Sequence, residues 1–186
     1  MSGTTASKRI AILGGTGALG TGLVRRWTQA GHAVIIGSRT LEKAEAALAE
    51  LKQVMAEWGA TQVDVAAMEN LDAARAADIV VLTVPFAHQK STLEHVRPAL
   101  EGKILVDVTV PLMPPKVGTV QLPPEGSAGQ AAQALLARTV PISRIVVPVE
   151  ADGRFVHVAV TDEAHVGERL IVEQDLCARR GVMDLH

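Results

Sequence analysis

Short apolar runs alternate along the chain with longer segments whose apolar residues recur every three or four positions. Runs typical of buried strands cover residues 9–13, 33–36, 62–65, 78–85 and 103–111, and helical patterns cover residues 18–30, 41–58, 70–76 and 88–100. Because strands and helices alternate, the pattern predicts parallel strands joined by right-handed crossovers. We therefore expect an α/β fold, a single doubly wound Rossmann-type domain over residues 1–186. Its sheet should be mostly parallel, with helices on both faces.

The last third of the chain has a different pattern. Residues 111–126 are rich in Pro and Gly and predict an ordered surface loop, after which Ser127 is a typical N-cap for a helix over residues 128–137. Strands are predicted at 144–149 and 155–160, and the ADGR between them fits either a hairpin turn or a loop that joins two strands of the larger sheet. A helix is predicted at 161–180, followed by a candidate last strand. Residues 1–8 are expected to be flexible, and residues 139–186 form a divergent final region.

Composition narrows the functional classes. The chain has 186 residues, one cysteine (Cys177) and a net charge of −2. A lone thiol forms no internal disulfide, the polar start lacks a signal-peptide core, and no apolar run approaches a membrane span, so we expect a cytoplasmic protein. The near-neutral charge and the low aromatic content, with no Tyr, argue against nucleic-acid binding. The histidine spacings match no metal motif, so no metal site is expected.

Four glycines, Gly14, Gly15, Gly17 and Gly20, separate the first strand from the first helix. The last three form G-x-G-x-x-G, in which glycines permit a tight turn, let a pyrophosphate approach the backbone and let the helix pack closely on the strand. The helix N-terminus offers unpaired N–H groups and a positive dipole end to the phosphate. The alternative is a glycine-rich turn needed only for packing. The strand–helix context favours a dinucleotide site.

The end of the second predicted strand indicates which dinucleotide is bound. NAD-binding domains usually place a carboxylate there to hold the ribose 2′-hydroxyl. This chain instead has Gly37, Ser38, Arg39 and Thr40, with Lys43 one turn into the next helix. A guanidinium and hydroxyl donors would bind a 2′-phosphate through charge-assisted hydrogen bonds. The sequence therefore predicts NADP(H) rather than NAD, and the alternative is a solvated Arg at a helix start.

Four stretches resemble one family. IAILGGTGALGTGL, IIGSRTLEKAE, ADIVVLTVPFAH and GKILVDVTVP are similar to the NADPH-dependent deazaflavin (coenzyme F-420) reductases, also called F-420:NADP oxidoreductases, and the resemblance covers residues 9–138. It implies reversible hydride transfer between NADPH and the deazaflavin. The residues that it implies are Thr16, Gly17, Ala18 and Leu19 for the phosphates, Ser38, Arg39 and Lys43 for the 2′-phosphate, and Thr83, Val84, Pro85, Val110 and Pro111 for the cofactor's nicotinamide side.

The resemblance weakens after the sixth predicted strand. The family has a longer segment there that helps to shape the deazaflavin pocket, whereas VVPVEADGRFVHV is short and chemically different, and the chain ends before a C-terminal helical region expected from the family. Two alternatives stay open. One is an NADPH-dependent reductase of another acceptor, such as an imine, a keto acid, a flavin or a metal chelate. The other is a non-catalytic NADPH-binding module. We expect a homodimer, because a sheet edge and apolar surface remain after the shortened C-terminus.

Two further residues lie near predicted strand ends, where ligands bind in such sheets. His88 follows the fourth strand, and it either contacts substrate or cofactor or, the favoured interpretation, is an exposed residue in the first turn of a helix. Asp107 interrupts an apolar strand and orients a substrate or a neighbouring backbone amide, or has a structural role. No catalytic residue is assigned, because direct hydride transfer needs alignment and exclusion of water rather than a nucleophile.

Overall fold

The computed structural model describes residues 8–60, 63–116, 118–136, 144–151 and 154–160. In these residues one sheet has the strand order β3-β2-β1-β4-β5-β6-β7. The strands are β1 (Ile10–Leu13), β2 (Val34–Ser38), β3 (Val65–Glu69), β4 (Ile79–Leu82), β5 (Ile104–Asp107), β6 (Arg144–Ala151) and β7 (Arg154–Val160). The helices are α1 (Ala18–Gln29), α2 (Leu41–Glu57), α3 (Asn70–Ala76), α4 (Gln89–Val96) and α5 (Ala128–Leu136).

The sheet is covered on both faces, as the continuous apolar strands predict. Residues that alternate along β1 and β2 divide between two buried clusters. Ala11, Leu13 and Ile35 belong to the cluster that includes side chains of α3, α4 and α5. Ile12 and Ile36 belong to the second cluster, with side chains of α1 and α2. The predicted doubly wound α/β architecture is therefore confirmed.

The strand order places the loops after β1 and β4 side by side. β1 pairs in parallel with both β2 and β4, so successive crossovers leave in opposite directions at this point. In open α/β sheets this arrangement makes a crevice at the carboxyl ends of the strands. The helices run back against the strands, so α1 and α2 end at the opposite, amino edge. Trp27 lies there half-buried, and Trp58, which follows α2, is 56% exposed.

The third strand was predicted in the wrong place. It was expected at residues 62–65, but β3 is Val65–Glu69 and pairs with β2 along its whole length, from Val34↔Val65 to Ser38↔Glu69. Its first four residues are half-buried, because among the described strands β3 has a neighbour on one side only. Pairing with β2 therefore overrides the helical preference of the Ala-Ala-Met-Glu segment.

Other strand ends also differ from prediction. The second strand was expected over residues 33–36, but β2 is Val34–Ser38 and continues through Gly37. The runs at 78–85 and 103–111 contain shorter strands, Ile79–Leu82 and Ile104–Asp107. The helix predicted over 88–100 is divided into a 3₁₀ turn at Phe86–His88, α4, and a second 3₁₀ turn at Arg97–Ala99. Pro98 in that last turn explains the second division, because proline has no N–H for a helical hydrogen bond.

The C-terminal predictions are partly within the described residues. Ser127 caps α5 as expected, since its Oγ accepts a 3.1 Å hydrogen bond from the Gln130 N–H. β6 and β7 pair antiparallel up to Ala151↔Arg154, which confirms the hairpin alternative. Several predictions fall outside the described residues: residues 1–7 of the flexible start predicted at 1–8, residue 137 at the end of the predicted helix, the helix at 161–180, the candidate last strand and Cys177. Within the described part, no helix has the length and apolar character needed to cross a bilayer.

Candidate functional site

The glycine loop between β1 and α1 is held by backbone hydrogen bonds. Gly14 has φ of 82°, in the left-handed region that favours glycine. The N–H groups of Gly14 and Gly15 both donate to the carbonyl of Gly37 at the end of β2, over 3.1 and 3.0 Å. The Gly17 N–H donates to the Gly14 carbonyl over 3.0 Å. The loop is thus fastened both to itself and to the neighbouring strand.

Three of the four glycines are required by the packing of the protein itself. A Cβ at Gly14 would lie 2.9 Å from Val84 Cγ1, and one at Gly15 would lie 2.9 Å from the Ile12 carbonyl oxygen. A Cβ at Gly20 would lie 2.7 Å from the Gly15 Cα, so α1 rests directly on the loop. The contacts at Gly15 and Gly20 are with backbone atoms, so a side chain at either position would force the backbone to move. At Gly14 the contact is with the Val84 side chain, and the positive φ adds to the cost of a side chain there.

Gly17 differs from the other three. Among the described residues, and apart from its chain neighbours, a Cβ there would meet the Gly14 carbonyl oxygen alone, at 3.4 Å, which is ordinary van der Waals contact. Gly17 is the N-cap of α1, and the first turn of the helix has no side-chain cap among the described residues. Thr16, Gly17, Ala18 and Leu19 are all exposed. This is the arrangement that binds a phosphate: open backbone and uncapped N–H groups at a helix N-terminus.

The end of β2 lies beside this loop and carries two exposed cations. Arg39 and Lys43 are exposed, as is Thr40, while the Ser38 side chain is only 4% exposed. Sequence reasoning missed the neighbour of Ser38, which is Glu69 in the register of β3 and is exposed. A carboxylate therefore stands close to the predicted 2′-phosphate position, and the planar guanidinium of Arg39 is the group best suited to bind a phosphate beside it.

Asn70, at the start of α3, was also missed. It is 5% exposed, and its Oδ1 has no hydrogen-bond partner among the described residues. A Cβ at Gly37 would lie 3.0 Å from this oxygen, so a larger residue at position 37 would press on it. Asn70 thus leaves room only for glycine at position 37, whose carbonyl accepts the hydrogen bonds from the glycine loop.

The segment after β4 packs against the other side of the loop. The N–H and the Oγ1 of Thr83 both donate to the Leu13 carbonyl, each over 2.9 Å. Val84 is half-buried against Gly14, whereas Pro85 and His88 are exposed. The exposure of His88, in the 3₁₀ turn before α4, agrees with the favoured interpretation.

The segment after β5 completes the edge. The Val108 N–H donates to the Leu82 carbonyl over 3.2 Å, which keeps this segment beside the one after β4. Val110 is 50% exposed, but Pro111 is buried and packs into the protein. The structure thus brings the four predicted segments, 14–20, 37–43, 83–88 and 108–111, to one edge of the sheet.

A buried polar cluster underlies the last two segments. The Gln89 Nε2 lies 2.5 Å from Asp107 Oδ2, 2.9 Å from Thr109 Oγ1 and 2.9 Å from the Ala128 carbonyl oxygen. The Thr109 N–H donates to Asp107 Oδ1 over 2.9 Å, which confirms that Asp107 orients a neighbouring amide. Asp107 is 1% exposed and is the last residue of β5, and the N–H that it accepts belongs to the residue two positions beyond the strand. We call Gln89, Asp107 and Thr109 the Gln89 cluster.

Gln89 was missed by sequence reasoning, although a signal exists. It stands four and seven positions before the buried Leu93 and Val96, so it occupies the apolar face of α4. A polar side chain at such a position needs buried partners.

Stability should depend on pH through Asp107. Burial raises the pKa of this carboxyl above its ordinary value of 3.8, and the hydrogen bonds from Thr109 and Gln89 oppose the rise. A raised pKa in the folded state means a contribution to stability that is complete below the unfolded value and is lost as the pH rises through the folded value. The free energy of unfolding of the wild type, relative to that of Asp107→Asn, should therefore decrease as the pH rises above the ordinary carboxyl value of 3.8. Urea unfolding of both proteins measures this, and a difference that grows with pH would contradict it.

Comparison with known proteins agrees with this geometry. A family described as NADP oxidoreductase, coenzyme F420-dependent, matches residues 9–111, from the start of β1 to the segment after β5. The chain belongs to this F420-dependent NADP oxidoreductase family. The family match spans all four segments of the candidate site, and so the resemblance seen in the four sequence stretches is confirmed.

Individual members of the family extend the comparison. The chain is 38% identical over 138 residues to the F420-dependent NADP reductase of Methanocaldococcus jannaschii, covering 73% of this chain and 61% of the relative. It is 44% identical over 104 residues to that of Methanothermobacter thermautotrophicus, covering 56% and 44%. The chain thus spans less than two thirds of the length of either relative.

Solved structures give the same assignment of fold. A putative F420-dependent NADP reductase from an Arthrobacter species is similar with a TM-score of 0.58 at 29% identity, covering 75% of this chain and 61% of that one. A pyrroline-5-carboxylate reductase from Coxiella burnetii, at 19% identity and a TM-score of 0.51, covers 77% and 44% and shares the fold alone.

Proposed function

We propose that the chain binds NADPH at the carboxyl edge of the sheet and exchanges a hydride with a deazaflavin of the coenzyme F420 type. The observation that carries the proposal is the family match over the whole of this edge. The relatives are named as F420-dependent NADP reductases. The uncapped first turn of α1 and the exposed Arg39 are features that a dinucleotide with a 2′-phosphate requires.

The residues fit this cofactor in a specific way. Gly17 and the first-turn N–H groups of Ala18 and Leu19 would bind the pyrophosphate, since a side chain is lacking where the phosphates must approach. Arg39, with Lys43, would bind the 2′-phosphate. Gly15 and Gly20 give the loop its shape, and Ser38 and Thr40 flank Arg39.

The second half of the site would receive the nicotinamide. Thr83, Val84 and Pro85 form one wall after β4, and Val110 forms the opposite wall after β5; His88 lies at its rim, and the buried Pro111 supports it from behind. Bound NADPH would supply the hydride from its dihydronicotinamide ring. The chain's own residues would orient that ring and exclude water, which is the contribution that direct hydride transfer requires of a protein.

Absorbance tests the proposal directly. The protein, NADPH and oxidised deazaflavin should show matched losses of NADPH absorbance and of deazaflavin visible absorbance. NADH in place of NADPH, and an identical mixture without protein, are the controls. Turnover with an imine, a keto acid, a flavin or a metal chelate, but none with deazaflavin, would show that the acceptor is one of these compounds and not the deazaflavin. NADPH binding without turnover of any acceptor would favour the alternative of a non-catalytic NADPH-binding module.

A cytoplasmic location and a homodimer are further predictions of the proposal. Sedimentation analysis of the purified protein tests the dimer.

A further inference from the structure

The Gln89 cluster joins three segments through one nitrogen atom. Gln89 is the first residue of α4, Asp107 and Thr109 lie at and after the end of β5, and Ala128 begins α5. All three members of the cluster are buried: Gln89 is 3% exposed, Asp107 1% and Thr109 5%. A buried polar group of this kind is costly unless every partner is kept in place, so the cluster holds these segments in one arrangement.

The cluster begins where the backbone pairing between β4 and β5 ends. The last registered pair is Leu82↔Asp107, and among the described residues the last backbone hydrogen bond across these segments is from Val108 to Leu82. Beyond that point the Gln89 cluster links the residues that flank the two walls of the proposed nicotinamide site, 83–85 and 110–111. Gln89 follows the first wall by four residues, and Thr109 directly precedes the second.

Donors and acceptors in the Gln89 cluster are matched to one another. The Gln89 Nε2 carries two hydrogens and lies near three oxygen atoms, while Asp107 accepts from both Gln89 and the Thr109 N–H. Asp107 therefore has all of its partners only when Gln89 and Thr109 are both in position. Displacing Gln89 would break its bonds to Asp107 Oδ2 and Thr109 Oγ1, and so detach the start of α4 from the segment that leads into Val110.

We propose that Gln89 is a positioning residue for hydride transfer, which fixes the backbone at 108–111 against the segment after β4 so that the nicotinamide end of the site has one geometry. This rests on the proposed function, because it assumes that the nicotinamide lies between these walls. Gln89 itself lies beneath the walls and acts through Thr109.

Gln89→Met removes the donor with little change in volume. It should lower kcat for hydride transfer by about tenfold or more, because displacements near 1 Å at a reacting centre cost up to about 10²-fold. The dissociation constant for adenosine 2′,5′-bisphosphate, which occupies only the adenosine half, should stay within about twofold. Amide hydrogen exchange at 108–112 should become faster, which is a readout independent of activity.

Lys103 provides a matched control at the opposite edge of the sheet. Its Nζ also donates to three oxygens, the carbonyls of Ala74, Arg75 and Ala77. Lys103 directly precedes β5, whereas Asp107 is the last residue of that strand. Lys103→Met should lower thermal stability but leave kcat and exchange at 108–112 near wild type. Unchanged kcat in Gln89→Met, or equal losses of kcat in both variants, would overturn the proposal.

Gln89→Glu gives a second test, which can still be carried out if Gln89→Met folds poorly. Two carboxylates in this cluster repel when both are ionised and can share a proton in acid. The kcat of Gln89→Glu, relative to wild type, should therefore recover as the pH falls, and a flat ratio would overturn the proposal. Wild type that fails to bind either NADPH or the bisphosphate would instead remove the proposed function, and this inference with it.

Discussion

Replacing Gly17 with alanine should nearly abolish NADPH binding and leave the fold intact. The added methyl group fits the described part of the protein, where its one neighbour within 4 Å beyond the adjoining residues is the Gly14 carbonyl oxygen at 3.4 Å. It would nevertheless occupy the space through which a pyrophosphate reaches the α1 N-terminus. We expect affinity to fall about 100-fold, as for the loss of one or two charge-assisted hydrogen bonds of about 1.5–3 kcal/mol each. Calorimetric titration with NADPH measures the loss, and thermal unfolding measures the fold.

Two neighbouring glycines provide the controls for Gly17→Ala. Gly22→Ala adds a methyl group where no atom of the described residues outside the adjoining turns of α1 lies within 4 Å, so it should keep NADPH binding and stabilise α1 by about 0.5–1 kcal/mol. Gly20→Ala should instead reduce stability and binding together, because its Cβ would lie 2.7 Å from the Gly15 Cα. If Gly17→Ala bound NADPH as tightly as wild type, the phosphates would have to lie elsewhere.

Replacing Arg39 with alanine should separate the two pyridine coenzymes. The guanidinium is exposed at the end of β2, and the 2′-phosphate that it would bind is present in NADPH and absent from NADH. We expect NADPH to bind about 10–150-fold more weakly, the equivalent of about 1.5–3 kcal/mol, and NADH to change by less than about threefold. Calorimetric titration of wild type and variant with each coenzyme provides the comparison.

The control for Arg39→Ala is Arg26→Ala. Arg26 is also exposed but lies in the last turn of α1, at the amino edge of the sheet. It should leave both affinities unchanged, which separates a specific contact from a general loss of positive charge. Equal weakening of NADPH and NADH binding in Arg39→Ala would remove the 2′-phosphate assignment.

The parts of the fold that local pattern determines were predictable. β1 and β4 are apolar runs because they are central strands with helices on both faces, and α3 was predicted with its observed bounds, Asn70–Ala76. The glycine loop was predictable because its spacing and its place between a strand and a helix are both local features. The role of each glycine in the loop was not predictable. Of the four, the one with a positive φ is Gly14, which lies outside the G-x-G-x-x-G spacing.

The parts that depend on distant partners were not predictable. β3 is recognisable only through its pairing with β2, because its residues are half-buried and carry little apolar contrast. The partners of Gln89 lie 18, 20 and 39 positions away in sequence, so no window of helical or strand length contains them. Glu69 comes beside Ser38 for the same reason: strand register, rather than sequence distance, makes them neighbours.

The two tryptophans at the amino edge of the sheet make the protein suitable for optical measurement of binding. The chain has only these two, Trp27 and Trp58. Trp27 lies nine residues along α1 from Ala18, which is about 14 Å at the helical rise of about 1.5 Å per residue. Indole emission overlaps the absorption band of a reduced nicotinamide, so a coenzyme bound at the far edge should quench tryptophan fluorescence by energy transfer and without contact. Native fluorescence would then report occupancy in every variant without an introduced label.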